Sequence, residues 1–160
     1  MYKNRTQSIM MNQITTLESC WHISPPWGAV RPPLAVQIRE EVLLSSDLSG
    51  HCCGVHWEEE EWVYAIVSHN ETLYLRSGEF SPTSVFKSQT VSHQAFQLGD
   101  VVEVDFSEMP NRRIIQGVFS LKQNWLYAVE WRSPILGETT SAQSRLIWLA
   151  DIDLVGVKVC

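Results

Sequence analysis

A repeated pattern constrains the fold of this 160-residue chain more than any other feature. Gly54-Val55, followed after six residues by Trp-Val-Tyr-Ala-Ile (62–66), recurs as Gly117-Val118, followed after six residues by Trp-Leu-Tyr-Ala-Val (125–129). Every matched position is offset by 63 residues without a gap, and such self-similarity indicates a duplicated architecture. Because halves of roughly 60 residues bury little surface alone, the pattern predicts two similar units that pack against each other.

Alternation of apolar and polar residues with a period of two predicts β-strands. The alternation covers residues 34–39 and 102–106, and the run 62–67 is apolar on both faces, as in a covered strand. Residues 112–119 and 125–131 predict a hairpin, and no stretch shows a sustained helical stripe. Short strands with turn signals roughly every 8–12 residues predict an all-β sandwich or barrel.

Each half resembles a small SH3-like barrel, because a Gly-Val pair enters the second strand and a Trp-x-Tyr lies in the third. The resemblance implies an all-β fold of tandem SH3-like small barrels, two repeats offset by 63 residues. The predicted organisation is a flexible tail (1–13), an N-terminal extended cover segment (14–33), repeat 1 (34–80), a linker (81–95) and repeat 2 (96–160).

Four segments together are similar to a small uncharacterised cyanobacterial protein family of about 150 residues. They are the stretch from Trp21 to Trp27, the Gly-Val hairpin, the run 125–131 and the ending Arg-Leu-Ile-Trp-Leu (145–149). The resemblance covers nearly the whole chain and implies no activity, because none is established for that family.

The charge balance limits the classes of partner. The formal net charge is −6, which is the wrong sign for a generic binder of nucleic-acid phosphates. No run of about 18 apolar residues is present to span a membrane, and no secretory signal is visible. These features predict a cytoplasmic protein, in which Cys20, Cys52, Cys53 and Cys160 are thiols.

The cluster His51-Cys52-Cys53 with His56 contains the side chains that zinc prefers. At the offset of 63 their counterparts are residues 114, 115, 116 and 119, which are ordinary strand residues. Neighbours on a strand point to opposite faces, so Cys52 and Cys53 do not readily share one ion. The sequence therefore predicts buried thiols here, and neither a metal nor a cofactor.

The main candidate for binding is an acidic edge in the first repeat, formed by Glu58, Glu59, Glu60 and Glu61 beside Trp57. Trp57 aligns with Ser120 in the second repeat, and a tryptophan beside an exposed loop is a candidate contact residue. Small barrels that bind peptides hold proline-rich or basic segments in this way. The first hypothesis is a non-catalytic interaction or regulatory protein that binds a protein partner through this edge.

Two alternatives use other residues. Arg112, Arg113 and Lys122 form the only basic group near a hairpin and suggest a nucleic-acid-binding tandem barrel, although the net charge opposes it. The acidic loop suggests a divalent-cation sensor, although it lacks the alternating ligands and the glycine of known calcium loops.

Searches for catalytic motifs find neither a nucleophile elbow nor a phosphate-binding glycine loop nor a His-Glu-x-x-His pair. Only Cys53 with His51 or His56 offers a local thiol-histidine pair, and no orienting residue accompanies it. No residue evidence therefore points to an enzyme, and a hydrolase or a transferase is left open. Exposed strand edges leave a homodimer open as a further arrangement.

Overall fold

The fold is all-β, as the sequence predicts. The computed structural model describes residues 24–88, 92–104, 111–130 and 146–157, and within these ranges there is no α-helix. The cover-segment residues before 24, Trp131 and the cysteines at 20 and 160 lie outside the described residues. The strands are β1 (Glu40–Ser45), β2 (Leu48–Glu58), β3 (Glu61–Ser68), β4 (Glu71–Arg76), β5 (Ser81–Phe86), β6 (Val101–Val104), β7 (Asn111–Ile114), β8 (Gly117–Leu121), β9 (Asn124–Glu130), β10 (Leu146–Ala150) and β11 (Leu154–Gly156).

Two antiparallel sheets contain these strands. In the larger sheet, β4, β3, β2, β8, β9 and β10 lie side by side, and β1 and β5 continue from the other end of the long strand β2. The smaller sheet has the order β11-β6-β7. Neither sheet closes into a barrel over the described residues, so the SH3-like description of each half stays a prediction. Strand β5 lies inside the span predicted as a linker and pairs with β1.

The two halves of the chain meet where β2 pairs with β8. Gly54 pairs with Phe119, Val55 with Val118, and His56 with Gly117. A local two-fold axis therefore passes between Val55 and Val118. It relates each seam residue of the first half to the residue 63 positions later in the second half. We call residues 54–56 and 117–119 the seam, because this pairing joins the halves into one sheet.

Each half has its own hydrophobic core on the same side of this sheet. The first core is built around Trp62, Tyr64 and Ile66, and the second around Trp125 and Tyr127. Ile38 from the first half packs against the second core, and Leu98 packs against both. The halves are therefore joined by side-chain packing as well as by strand pairing, as the sequence predicts for units of this size.

The two buried tyrosines make equivalent hydrogen bonds. The hydroxyl of Tyr64 accepts a hydrogen bond from the backbone N–H of Ala35 at 2.8 Å, and the hydroxyl of Tyr127 accepts one from Ala95 at 2.9 Å. Buried phenolic oxygens need such partners, because an unpaired polar group in a core costs about 1–3 kcal/mol. In each half the tyrosine thus attaches the segment before the first strand to the core.

The two buried indoles act in the same way. Nε1 of Trp62 donates to the carbonyl of Pro32 at 3.0 Å, and Nε1 of Trp125 donates to the carbonyl of Ser92 at 2.7 Å. Trp62 and Trp125 are 63 positions apart, whereas their partners Pro32 and Ser92 are 60 positions apart. The second half is therefore three residues longer between the partner and the tryptophan. The proline-rich residues 32–33 thus lie against the first core. No helix in the described ranges is long and apolar enough to cross a membrane.

Candidate functional site

The face of the central sheet opposite the two cores carries an open groove of about 600 Å³ that crosses the seam. Four aromatic side chains line it: His56, Tyr74, Phe119 and Trp148. The exposed fractions of Tyr74 and Trp148 are 63% and 38%. Because large exposed aromatic groups that lie together on one face mark interaction surfaces, this aromatic groove is the strongest candidate site.

Two glycines beneath the aromatic rings determine the shape of the groove. A methyl group added to Gly117 would lie 2.8 Å from Cβ of His56 and 2.9 Å from Cη2 of Trp148. A methyl group added to Gly54 would collide with the ring of Phe119. Only glycine therefore permits these rings to lie across the seam, which explains why glycine occurs at both matched positions.

Edge-to-face contacts connect the aromatic side chains. The ring of His56 lies 5.9 Å from Trp148 and 6.4 Å from Tyr74, in both cases nearly perpendicular. Phe119 lies 6.1 Å from Trp148 in the same manner. Because such pairs contribute about 0.5–1.5 kcal/mol each, the walls of the groove are held in place before any ligand binds.

One acid-base pair lies at the end of the groove. Nε2 of His56 is 3.3 Å from Oε2 of Glu58, and both side chains are only 14% exposed. Burial lowers the pKa of His56 below its ordinary value, and the hydrogen bond to Glu58 opposes this shift more weakly. His56 is therefore mainly neutral near pH 7 and Glu58 supplies a negative charge to the groove.

The acidic edge begins at this point and forms the turn between β2 and β3. Glu59 and Glu60 occupy the turn with φ values of 49° and 66°, a left-handed conformation that glutamate rarely adopts. Arg76 on β4 forms ion pairs with Glu59 and Glu61. The edge therefore presents four carboxylates and one guanidinium beside the aromatic groove, and the divalent-cation hypothesis for this loop stays a prediction.

Trp57 does not line the groove and is not fully exposed, and its assignment as a contact residue stays a prediction. The side chain is half-buried on the opposite face of β2, against the first core. Its ring lies 4.9 Å from that of Trp62 and 5.9 Å from that of Trp27. The alternation of a strand explains the difference, because Trp57 and Glu58 necessarily face opposite sides.

The two arginines of the nucleic-acid hypothesis also separate onto different faces. Arg112 is exposed and its Nε lies 3.5 Å from Oε1 of Glu103. Arg113 is 9% exposed, and its guanidinium donates to the backbone carbonyls of Glu130 and Arg112, both at 2.9 Å. Burial lowers the pKa of Arg113. Arg113 thus has a structural position, and the two arginines do not form one cationic surface with each other.

The thiols are in a backbone irregularity of β2. The pairing of β2 with β3 shifts by one residue between Cys52 and Gly54, so Cys53 is a bulge that lets Cys52 and Val55 both face the core. Burial raises the pKa of Cys52 to about 12 and that of Cys53 to about 11. Both groups are protonated at neutral pH, and no group of metal-ligating side chains assembles within the described ranges.

Tyr74, Phe119 and Trp148 are the residues that sequence reasoning missed. Tyr74 pairs with Ala65, and Trp148 pairs with Ala128, so the two aromatic residues occupy matching places beside matched alanines. Their positions in the chain differ by 74 and not by 63, because the connections before them differ in length. The sequence signal that could have identified Tyr74 and Trp148 is that each is an aromatic residue within the short apolar run that follows a Trp-x-Tyr strand.

A comparison with protein families finds one match that covers nearly the whole chain. Residues 10–157 match the family described as "Protein of unknown function (DUF1392)". No curated protein and no solved structure matches the chain.

Proposed function

The chain belongs to the DUF1392 family, and we propose that it is a non-catalytic interaction protein. Its ligand is an extended, basic segment of a partner protein, which lies in the aromatic groove and along the acidic edge. The observation that supports this most is the continuity of the two features: the four aromatic side chains end at Glu58, where the acidic turn begins.

The groove suits an extended chain that carries cationic side chains. Val63, Ala65 and Leu126 add small or apolar side chains to its lining, which suit the apolar residues of a peptide. Tyr74 and Trp148 offer their ring faces to lysine or arginine side chains, and such contacts are worth about 0.5–2 kcal/mol each. The aromatic groove thus supplies the contact energy, and its two exposed rings are the expected anchors.

The charges of the edge favour a basic partner. Glu58 lies within the groove, and Glu60 is exposed at the tip of the turn. The net charge of the whole chain is −6, which adds a long-range attraction for cations. Such complementarity mainly raises the association rate and selects the partner, so the salt concentration should affect binding strongly.

The chemistry of the groove supports a role without catalysis. Its only acid-base pair, His56 with Glu58, has no serine, threonine or cysteine beside it among the described lining residues. A nucleophile and its base need to lie within hydrogen-bond reach. The Cys53 thiol donates to the carbonyl of Ala65 instead.

The proposal includes two broader expectations from the sequence. One is that the chain is a duplication of an SH3-like unit, which the matching hydrogen bonds of Tyr64 and Tyr127 support. The other is that the protein acts in the cytoplasm, where its thiols stay reduced. Neither expectation is needed for the groove to bind a peptide.

The test is a binding measurement with defined peptides. Fluorescein-labelled peptides that alternate arginine or lysine with apolar residues are titrated by fluorescence polarisation, with peptides of inverted charge as the reference. Three variants are compared with the wild type: Trp148→Ala, Glu58→Gln, and Ile152→Ala as a control. Ile152 is 87% exposed and does not line the groove, so its removal deletes an apolar surface group elsewhere.

We expect the basic peptides to bind and the acidic ones not to bind. Trp148→Ala and Glu58→Gln should each weaken binding about tenfold, while Ile152→Ala should leave it unchanged, since hot-spot truncations typically cost more than about 1 kcal/mol. Absence of binding to every basic peptide would contradict the proposal. Equal losses in Ile152→Ala and Trp148→Ala would also contradict it, because the groove would then not be the site.

A further inference from the structure

A second cavity, about as open to solvent as the groove, lies on the other side of the seam, and side chains of both cores line it. Its volume is about 650 Å³, and Val55 and Val118 separate it from the aromatic groove. We propose that this inner cavity binds an organic phosphate of about the size of a mononucleotide. The proposal is independent of peptide binding, because the two sites lie on opposite faces of the sheet.

Three cationic side chains line the inner cavity: Arg31, Arg39 and Lys87. No aspartate or glutamate is among its described lining residues, and none of the three cations forms an ion pair with a described carboxylate. The chain has only 12 lysines and arginines against 18 acidic residues. A local excess of three positive charges in an acidic protein favours an anionic ligand.

The backbone of Arg39 gives an independent reason to assign a role to its side chain. Arg39 has a φ of 75°, in the left-handed region that favours glycine. The matching turn of the second half has Gly99 there, with a φ of 91°. The two turns correspond closely, since Arg39 N–H donates to the carbonyl of Cys52 at 2.7 Å and Gly99 N–H to that of Ile115 at 2.9 Å.

Arg39 combines a large side chain with a strained backbone, although glycine could occupy this position without strain. Non-glycine residues in sparsely populated regions cost on the order of 1–3 kcal/mol, and glycine would remove that cost here. Because the second half does use glycine at the equivalent place, the fold itself does not require arginine. The fold therefore does not account for the guanidinium of Arg39, and we assign it to the ligand of the cavity that it lines.

Hydrogen bonds of the backbone and of Glu40 bring Arg39 and Lys87 next to each other. The buried carboxylate of Glu40 accepts from the backbone N–H of Gln37 at 2.9 Å and of Ser84 at 3.0 Å. The N–H of Lys87 donates to the carbonyl of Arg39 at 2.9 Å. This pairing brings the residue after strand β5 next to the Arg39 turn, so the two cationic residues have neighbouring backbone positions before a ligand arrives.

The remaining lining suits the body of an amphipathic ligand. Apolar side chains from both halves contribute, among them Ile38, Leu98 and Trp125. Gln94 and Gln97 add amide groups, which donate and accept hydrogen bonds. A volume of about 650 Å³ lies within the range of about 300–1,000 Å³ that small-molecule sites occupy. A nucleotide matches all three parts of the lining: its phosphate suits the cations, its aromatic base suits the apolar side chains, and the polar groups of the base suit the glutamine amides.

The test combines thermal shift and isothermal titration calorimetry with the full chain. The probes are inorganic pyrophosphate, adenosine monophosphate and adenosine diphosphate, and adenosine is the control without phosphate. The variant is Arg39→Gly, which copies Gly99 and should fold at least as stably as the wild type. The matched control is Lys122→Gly, because Lys122 also has a positive φ, 56°, is exposed, and does not line the cavity.

We expect a phosphate probe to stabilise the wild type, and adenosine not to do so. Arg39→Gly should weaken binding of that probe by on the order of tenfold or more, as loss of a charge-assisted hydrogen bond predicts, while Lys122→Gly should retain it. Failure of all three phosphate probes to bind would overturn the proposal. Equal weakening by both variants would overturn it too, because the attraction would then come from overall charge.

Discussion

The two halves of the molecule share a backbone plan but carry different side chains where the candidate sites lie. The shared positions face the cores or form the seam: Gly54 and Gly117, Val55 and Val118, Trp62 and Trp125, Tyr64 and Tyr127. The differing positions are His56 against Phe119, Trp57 against Ser120, Glu58 against Leu121, and Arg39 against Gly99. Common residues thus build the architecture, and most of the residues that differ give the first half its charge and polarity in the groove and the cavity.

The largest expected effect tests whether the two cores are equivalent. Trp62 and Trp125 are 5% and 7% exposed, and each donates one hydrogen bond to a preceding backbone carbonyl. Trp62→Ala and Trp125→Ala should each lower the free energy of unfolding by about 3–5 kcal/mol. Urea denaturation measures both values. A loss below about 1 kcal/mol in either variant would show that the two cores are not equivalent.

Trp57 should give the next largest effect, because only the first half has an aromatic residue there. Trp57→Ser introduces the residue of the second half and removes the contacts with Trp27 and Trp62. Each aromatic contact is worth about 0.5–1.5 kcal/mol, so we expect a loss of about 2 kcal/mol in unfolding free energy. Ser120→Ala is the control and should change stability by less than about 0.5 kcal/mol. An unchanged stability in Trp57→Ser would support the exposed-contact interpretation.

The seam glycines should differ in a smaller but informative way. In Gly117→Ala the new methyl meets Cβ atoms of His56 and Ala128, which move only with the backbone. In Gly54→Ala the nearest group is the ring of Phe119, which can rotate, and the one backbone atom close to the new methyl is the carbonyl oxygen of Val118 at 3.0 Å. We expect a loss of about 1–3 kcal/mol for Gly117→Ala and a smaller loss for Gly54→Ala, measured by thermal unfolding. The reverse order would mean that the seam does not have the geometry described here.

Sequence patterns predict the parts of this fold that depend on local spacing. The Trp-x-Tyr strands and the all-β class follow from alternation, because the residues of one strand are neighbours in the chain. The matching turns at Arg39 and Gly99 are 60 positions apart. The repeat with its offset of 63 therefore does not align them, because the second half has three more residues between this turn and the repeated segment. The aromatic groove is harder still: Tyr74 and Trp148 come together only through the seam, and no local pattern indicates which strands pair there.

The smallest effect tests one of the two ionisable differences inside the groove, His56 against Phe119. Burial lowers the pKa of His56 in the folded protein below the ordinary value of 6.5. As the pH falls below about 6.5, the unfolded chain therefore binds a proton that the folded chain does not, and stability is lost until the folded pKa is reached. His56→Phe introduces the residue found at position 119 and abolishes this contribution.

The unfolding free energies of wild type and His56→Phe should therefore differ by a constant above about pH 7, and the difference should shift in favour of the variant below about pH 6.5. Urea titrations from about pH 8 to about pH 5 measure the two curves, and contributions from groups common to both proteins largely cancel. A shift in favour of the wild type at low pH would mean that the hydrogen bond to Glu58 outweighs burial and raises the pKa of His56. The first half would then present a cationic imidazole to the groove, and a basic peptide would no longer be the ligand that the charges favour.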